Sequence, residues 1–168
     1  MRRPKPFSRC TWPALAAVWM PLLLAGCGFH LQGRSELPRS LVSAHLEAQD
    51  AQSDFYASLR ASLLTAGARL DGTAADTATI HILDDSTSDR VLTVSARNIP
   101  TAFQLSYHIK ISVGSQGHEL MAPEEHTVSR EYSFDERALL SKERERDALA
   151  QALADDLAAL VMRRLAAL

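Results

Sequence analysis

The stretch from Ala102 to Val113 constrains this chain more than any other. Phe103, Leu105, Tyr107, Ile109, Ile111 and Val113 occupy alternate positions, and Gln104, Ser106, His108, Lys110 and Ser112 fall between them. Successive strand side chains point to opposite faces, so this pattern makes one apolar face and one wet face. Such a strand needs a packed layer on its apolar side and water, or something wet, on the other.

The flanking patterns supply the rest of a sheet. Leu41 to Glu47 alternates, with Val42, Ala44 and Leu46 on one face, and Thr77 to Leu83 alternates again with Ala78, Ile80 and Ile82 together; both fit half-buried strands. A region from about Asp85 to Ala96 continues as strand, with Arg90, Leu92, Val94 and Ala96 on one side. Arg97-Asn98-Ile99-Pro100 then turns the chain into the central strand. Gly114-Ser115-Gln116-Gly117 turns it once more. A last strand runs from about Glu125 to Phe134, with Val128, Tyr132 and Phe134 inward. Arg130 shares their parity, which marks an edge strand or one with an end open to water.

Two segments switch to helical spacing. Ser53 can cap a helix in which Phe55, Leu59, Leu63 and Ala66 recur and Gly67 ends the pattern; Asp71-Gly72 follows as a loop. From about Ser141, a second possible cap, Leu149, Leu153, Leu157, Leu160, Val161 and Leu165 form an apolar stripe. Arg163 and Arg164 sit in its last turns, where positive charge suits the helix dipole. The order β, α, a run of β, then α implies an α/β (α+β) two-layer sandwich. Its sheet is mainly antiparallel, with four to five strands and two helices packed on one face.

Ahead of this body lies a targeting segment. Residues 1–9 carry Arg2, Arg3, Lys5 and Arg9 and no acid, an apolar run from Ala14 to Leu24 follows, and Ala25-Gly26-Cys27 closes it. A basic start, a short apolar core and small residues at the exit describe a secretory signal, too short and too interrupted by Pro21 to remain as a membrane span. Leu24-Ala25-Gly26-Cys27 resembles the bacterial lipobox, in which cleavage precedes a cysteine that then carries lipid. The expected organisation is a removed leader at 1–26, a lipidated tether at 27–40 and one domain at 41–168. Gly28 stands where an Asp would favour inner-membrane retention, so the resemblance implies the outer membrane, reached from the periplasmic side.

Removing the leader leaves 14 of the 18 Lys and Arg residues against all 20 acids, a net charge of −6. An acidic domain is a poor partner for nucleic-acid backbones. Cys10 leaves with the leader, so Cys27 has no partner for an intramolecular disulfide. Both tryptophans, Trp12 and Trp19, leave as well, so the processed protein is expected to lack indole fluorescence.

Catalytic and cofactor patterns are not found. The histidines (His30, His45, His81, His108, His118 and His126) never form a metal-ligand pair on one helix or strand, and no glycine-rich phosphate loop or nucleophile elbow occurs. Asp84-Asp85, Glu124-Glu125 and Asp155-Asp156 are adjacent pairs; strand neighbours point to opposite faces and cannot share a proton. No cofactor, metal or enzymatic activity is expected. The run Lys142-Glu143-Arg144-Glu145-Arg146-Asp147 alternates sign at a helix start, as a solvated face with i, i+3 and i, i+4 pairs does.

Cys27-Gly28-Phe29-His30-Leu31-Gln32-Gly33 resembles the mature N-terminus of the lipopolysaccharide-assembly lipoprotein family, LptE (also called RlpB), and the element order agrees along the rest of the chain. The resemblance implies an α/β sandwich seated one to one as a plug inside the translocon barrel LptD. The pair delivers lipopolysaccharide to the outer leaflet. It also implies two lipopolysaccharide-binding positions. Arg97 matches the first, in Arg97-Asn98-Ile99-Pro100-Thr101-Ala102, and Lys142 the second, in Leu139-Leu140-Ser141-Lys142; Pro100 and Phe103-Gln104 depart from relatives. Arg and Lys would reach lipid phosphates through charge-assisted hydrogen bonds. The alternative is an unrelated envelope lipoprotein, such as an auxiliary component of a lipid-transfer system, in which Arg97 and Lys142 are incidental.

Overall fold

The central alternation is realised as β3 (Pro100–Ser115) in a computed structural model that describes residues 37–70, 77–133 and 139–168. Leu105, Ile109, Ile111 and Val113 are fully buried and Tyr107 nearly so, while the residues between them stay partly open. Three more strands flank it: β1 (Ala44–Ala48), β2 (Ala78–Val94) and β4 (His118–Ser133). The sheet order is β1-β2-β3-β4, so β3 is bonded on both sides and β1 and β4 are edges. β2, β3 and β4 are mutually antiparallel, and β1 lies parallel to β2. A parallel neighbour needs a crossover, and the helix α1 (Asp54–Thr65) supplies it.

The local chemistry of these elements is plain. Ser53 caps α1: its backbone is extended and its Oγ accepts the Tyr56 N–H at 3.1 Å. Just beyond the helix, Gly67 takes φ +92, a left-handed conformation that glycine adopts without a Cβ clash. Between β3 and β4 the two linking residues, Gln116 and Gly117, both have positive φ; this is the turn geometry whose twist matches paired strands. The second helix, α2 (Leu139–Leu165), begins two residues before Ser141, so Ser141 lies inside it and is not its cap.

Phe55, Leu59 and Leu63 of α1, and Leu153, Leu157, Val161 and Leu165 of α2, are buried with the apolar positions of β1–β3 in one core. Ala150, Ala154 and Ala158 are buried among them. Their small side chains let the second helix approach closely. Ser58 Oγ of α1 donates to Asp155 of α2 at 2.6 Å, tying the two helices together at the rim. Among the described residues, no helix is long and apolar enough to cross a membrane.

Several elements differ from the sequence reading. The segments around Thr77–Leu83 and Asp85–Ala96 are one continuous strand, β2, with a bulge between Ile82 and Asp84. Ile82 pairs with Ile111 and Asp85 with Ile109, so the extra residue Leu83 shifts the helix-facing parity from even to odd. β4 starts at His118, earlier than Glu125, because Pro123 and a second bulge sit on an edge strand that tolerates both. Leu41 belongs to a short 3-10 turn (Arg39–Leu41), and Val42 is exposed, so β1 is shorter than the alternation suggested. Phe134 lies outside the described residues.

Candidate functional site

The β2–β3 connection is a turn tip. Ser95 N–H donates to the Ile99 carbonyl at 2.7 Å and Asn98 N–H to the Ser95 carbonyl at 2.9 Å; Ser95 Oγ also accepts the Ile99 N–H at 3.2 Å. Asn98 sits at φ 63, which asparagine tolerates, and the arrangement leaves Arg97 exposed at the apex. No hydrogen bond or ion pair engages the Arg97 side chain among the described residues. It is a free cation on a closed turn.

Lys142 lies in the first turns of α2. Its side chain is only 15% exposed, and its ammonium is 2.7 Å from Glu145, an i, i+3 pair of the kind the alternating run suggested. Arg97 and Lys142 do not touch. Arg146, one helical turn beyond Lys142, binds Asp89 of β2, eight residues before Arg97, through its Nε at 3.0 Å and a terminal nitrogen at 2.7 Å. The start of α2 is thereby fixed beside the stem of the hairpin that carries Arg97. Arg144, also exposed and without a side-chain partner among the described residues, adds a second free cation to this end.

Two polar clusters that the sequence did not reveal hold this region. Tyr132 Oη donates to Asp89 at 3.1 Å, and the Tyr132 ring stacks on Phe103 with centroids 5.5 Å apart. Burial, and then the neighbouring Asp89 carboxylate, raise the Tyr132 pKa; the same carboxylate raises that of Arg146. Closer to the core, Asp85 accepts from Tyr107 Oη at 2.7 Å and from Ser53 Oγ, while Tyr107 Oη accepts the Phe55 N–H at 3.3 Å. Burial first, then the Asp85 bond, push the Tyr107 hydroxyl well above its ordinary value, so it stays a neutral donor. The only trace of these clusters in the sequence is Asp85 and Asp89 at i, i+4 in a strand, hidden because the bulge at Leu83 sets which side they face.

The opposite face of the sheet is a ladder of polar pairs. His81 Nδ1 lies 3.1 Å from Glu47, His108 Nε2 3.6 Å from Asp84, and Lys110 Nζ 2.9 Å from Glu125. The Glu125 contact raises the Lys110 pKa, and Lys110 lowers that of Glu125. Each member of the adjacent acid pairs has its own partner: Asp84 and Asp85 face opposite sides, Glu124 binds Arg164 and Glu125 binds Lys110, Asp155 binds Ser58 and Asp156 binds Arg130. No group of three or more His, Cys, Asp or Glu among the described residues is arranged to hold a metal ion. Cys27 lies outside the described residues. Chemically, the arrangement offers exposed cations for an anion at one end and a wet, paired face along the sheet.

The sequence profile of the family LptE, described as lipopolysaccharide-assembly, matches residues 41–165. The LPS-assembly lipoprotein LptE of Yersinia pestis (strain Pestoides F) is 27% identical over 146 residues, covering 86% of this chain and 70% of that protein. The fold is similar to the crystal structure of rare lipoprotein B from Shewanella oneidensis, with TM-score 0.67 and 21% identity over 74% of this chain and 94% of that one. It is also similar to the solution structure of an uncharacterized lipoprotein B from Nitrosomonas europaea, with TM-score 0.68 and 23% identity over 83% of this chain and 91% of that one.

Proposed function

This chain belongs to the lipopolysaccharide-assembly family LptE, and from that premise we propose that it is a non-enzymatic outer-membrane lipoprotein that seats in the LptD translocon barrel and touches lipopolysaccharide in transit. The match over residues 41–165 carries the reading. Acylated Cys27 anchors the protein from the periplasmic side, with the leader at 1–26 removed and 27–40 as tether. The sandwich fills the barrel lumen one to one. Its open sheet face, where charges are paired within the protein, suits a water-filled enclosure rather than lipid.

Arg97 contacts a lipid phosphate directly, because no described residue engages it. Lys142 does so only by leaving Glu145, which makes its contact weaker and exchangeable. Exchangeable contact suits a cargo that must move on. A charge-assisted hydrogen bond contributes about 1.5–3 kcal/mol. Arg97→Asp is therefore expected to weaken lipopolysaccharide binding by roughly tenfold or more, Lys142→Asp by less, and Glu145→Gln to strengthen it. Binding unchanged in the double variant Arg97→Asp with Lys142→Asp removes the site.

The anchoring and partner claims have separate tests. Mass spectrometry of the native product should show the leader absent and Cys27 acylated, and a bare thiol refutes the anchor. A tagged form should recover a large, heat-modifiable barrel from gentle detergent. Recovery of the lipoprotein alone refutes the plug.

A further inference from the structure

We propose that the open face of the sheet binds a saccharide in a hollow formed by the starts of β2 and β4 and the end of β3, at the other end of these strands from Arg97. The hollow has a volume of about 570 Å³, within the ~300–1,000 Å³ of small-molecule sites, and Thr79, Ser112, Gly114, Gln116, His118 and Glu119 line it. Thr79, Gly114 and Glu119 lie directly opposite one another on three adjacent strands, so they share a face. That face is the one of His81, two residues after Thr79 and opposite Ser112.

Three observations carry this. The first is Thr79, which is only 8% exposed and lines the hollow, yet whose hydroxyl has no hydrogen bond among the described residues. A buried hydroxyl without a partner is unfavourable, and a ligand hydroxyl in the hollow relieves it. The second is a break in pairing. Elsewhere on this face polar side chains bond across the strands: Arg90 to Gln104, Ser106 to Ser129, His108 to Thr127, Lys110 to Glu125 and His81 to Glu47. The ladder stops there, and no side-chain bond among the described residues engages Ser112, Gln116, His118 or Glu119. The third is the floor. A Cβ on Gly114 would meet only the His118 carbonyl, at 3.6 Å, and its φ is not positive, so neither crowding nor backbone conformation calls for glycine. Glycine inside a strand suits a surface that a ligand approaches closely.

The lining selects the class of ligand. It holds no Lys or Arg for an anion, and only one carboxylate, Glu119, for a cation. Its one apolar side chain, Val113, is 1% exposed, so an acyl chain finds no surface there. Hydroxyls, an amide, imidazoles and the carboxylate remain, a mixture of donors and acceptors that matches sugar hydroxyls, each of which is both. No aromatic ring lines the hollow, so hydrogen bonds alone hold the sugar and the affinity is expected to be weak, in the millimolar range.

The saccharide part of lipopolysaccharide and a free oligosaccharide offer the same hydroxyls. The site needs neither the anchor nor the barrel; only the choice between these two sources rests on the proposed cargo. The full lipoprotein, in micelles of lauryldimethylamine oxide, whose head group carries no sugar, is titrated with maltotriose. A second titration uses the oligosaccharide of lipopolysaccharide stripped of acyl chains and phosphates, and NMR follows the amide shifts. Saturable shifts across residues 79–81 and 112–119 are expected with at least one of them. A preference of about tenfold or more for the second identifies the cargo as the source, and equal affinity identifies free saccharides. Thr79→Val and Gly114→Val should each weaken binding by about tenfold or more, whereas Arg163→Gln, on α2, should leave it unchanged. The urea midpoint of Thr79→Val should stay level or rise, because the hydroxyl it removes has no partner in the protein. No shifts at these residues with either sugar overturns the proposal. So does an equal response to inorganic phosphate, which would identify an anion site, or a Thr79→Val variant that binds as the wild type does.

Discussion

Ala78, Ile80 and Ile82 occupy the helix-facing positions of β2 before its bulge, and Asp85, Thr87 and Asp89 occupy them after it. The first half is held by burial: Ile80 is fully enclosed between sheet and helices. The second half is held by directed bonds, from Ser53 and Tyr107 to Asp85 and from Tyr132 and Arg146 to Asp89. One strand thus joins a body that resists change to a stem whose orientation depends on a few hydrogen bonds. The comparison teaches where each kind of force belongs. Apolar packing fixes the core, and polar pairing aims the end that carries Arg97 and Lys142.

This contrast predicts a ranking of losses. Ile80→Ala should cost about 2–5 kcal/mol in urea unfolding, since it opens a cavity in the dry half. A loss below that of Tyr107→Phe would break the comparison. Tyr107→Phe removes a buried hydroxyl that donates to Asp85 and accepts from Phe55, and should cost about 1–3 kcal/mol, again read by urea midpoint. Arg146→Ala acts on a partly exposed pair, where solvent screening reduces the effect to on the order of 0.5 kcal/mol. Its sharper readout is mobility of the α2 start, seen as faster amide exchange around Lys142.

The smallest effect concerns pH. The hydrogen bonds from Arg164 hold the Glu124 carboxyl below its ordinary 4.5, against a smaller opposing pull from desolvation. A carboxylate lowered in the folded state contributes stability that is fully present above 4.5 and is lost as pH falls through the folded value. Urea midpoints of the wild type should therefore fall more steeply below pH 4.5 than those of Arg164→Gln. Parallel curves would show that this exposed pair is silent.

The sequence announces the dry half and conceals the other. β3 is legible because its apolar residues alternate without interruption from Phe103 to Val113, and α1 because Ser53 and Gly67 punctuate it. Hydropathy carries no signal where the inward residues are Asp85 and Asp89, and a one-residue bulge cannot be seen without the partner strand. The first half of β4 is obscured by Pro123, which suggests a break but is accommodated on an edge. Arg130 at an inward position does mark that edge correctly, and Asp156 of α2 supplies its partner at 2.6 Å. Of the candidate residues, Arg97 falls on the turn that its motif indicated. Lys142 falls on the expected helix start, but its engagement by Glu145 depends on a rotamer that no sequence pattern specifies.

β2 runs unbroken for 17 residues, which at about 3.3 Å each makes a rod of roughly 55 Å. The hydrocarbon layer of a bilayer is only about 30 Å thick. A rigid body of that length, enclosed upright in a pore, overshoots the apolar slab. Under the proposed enclosure, the Arg97 tip and the opposite end of β2 would stand beyond the two faces of that slab.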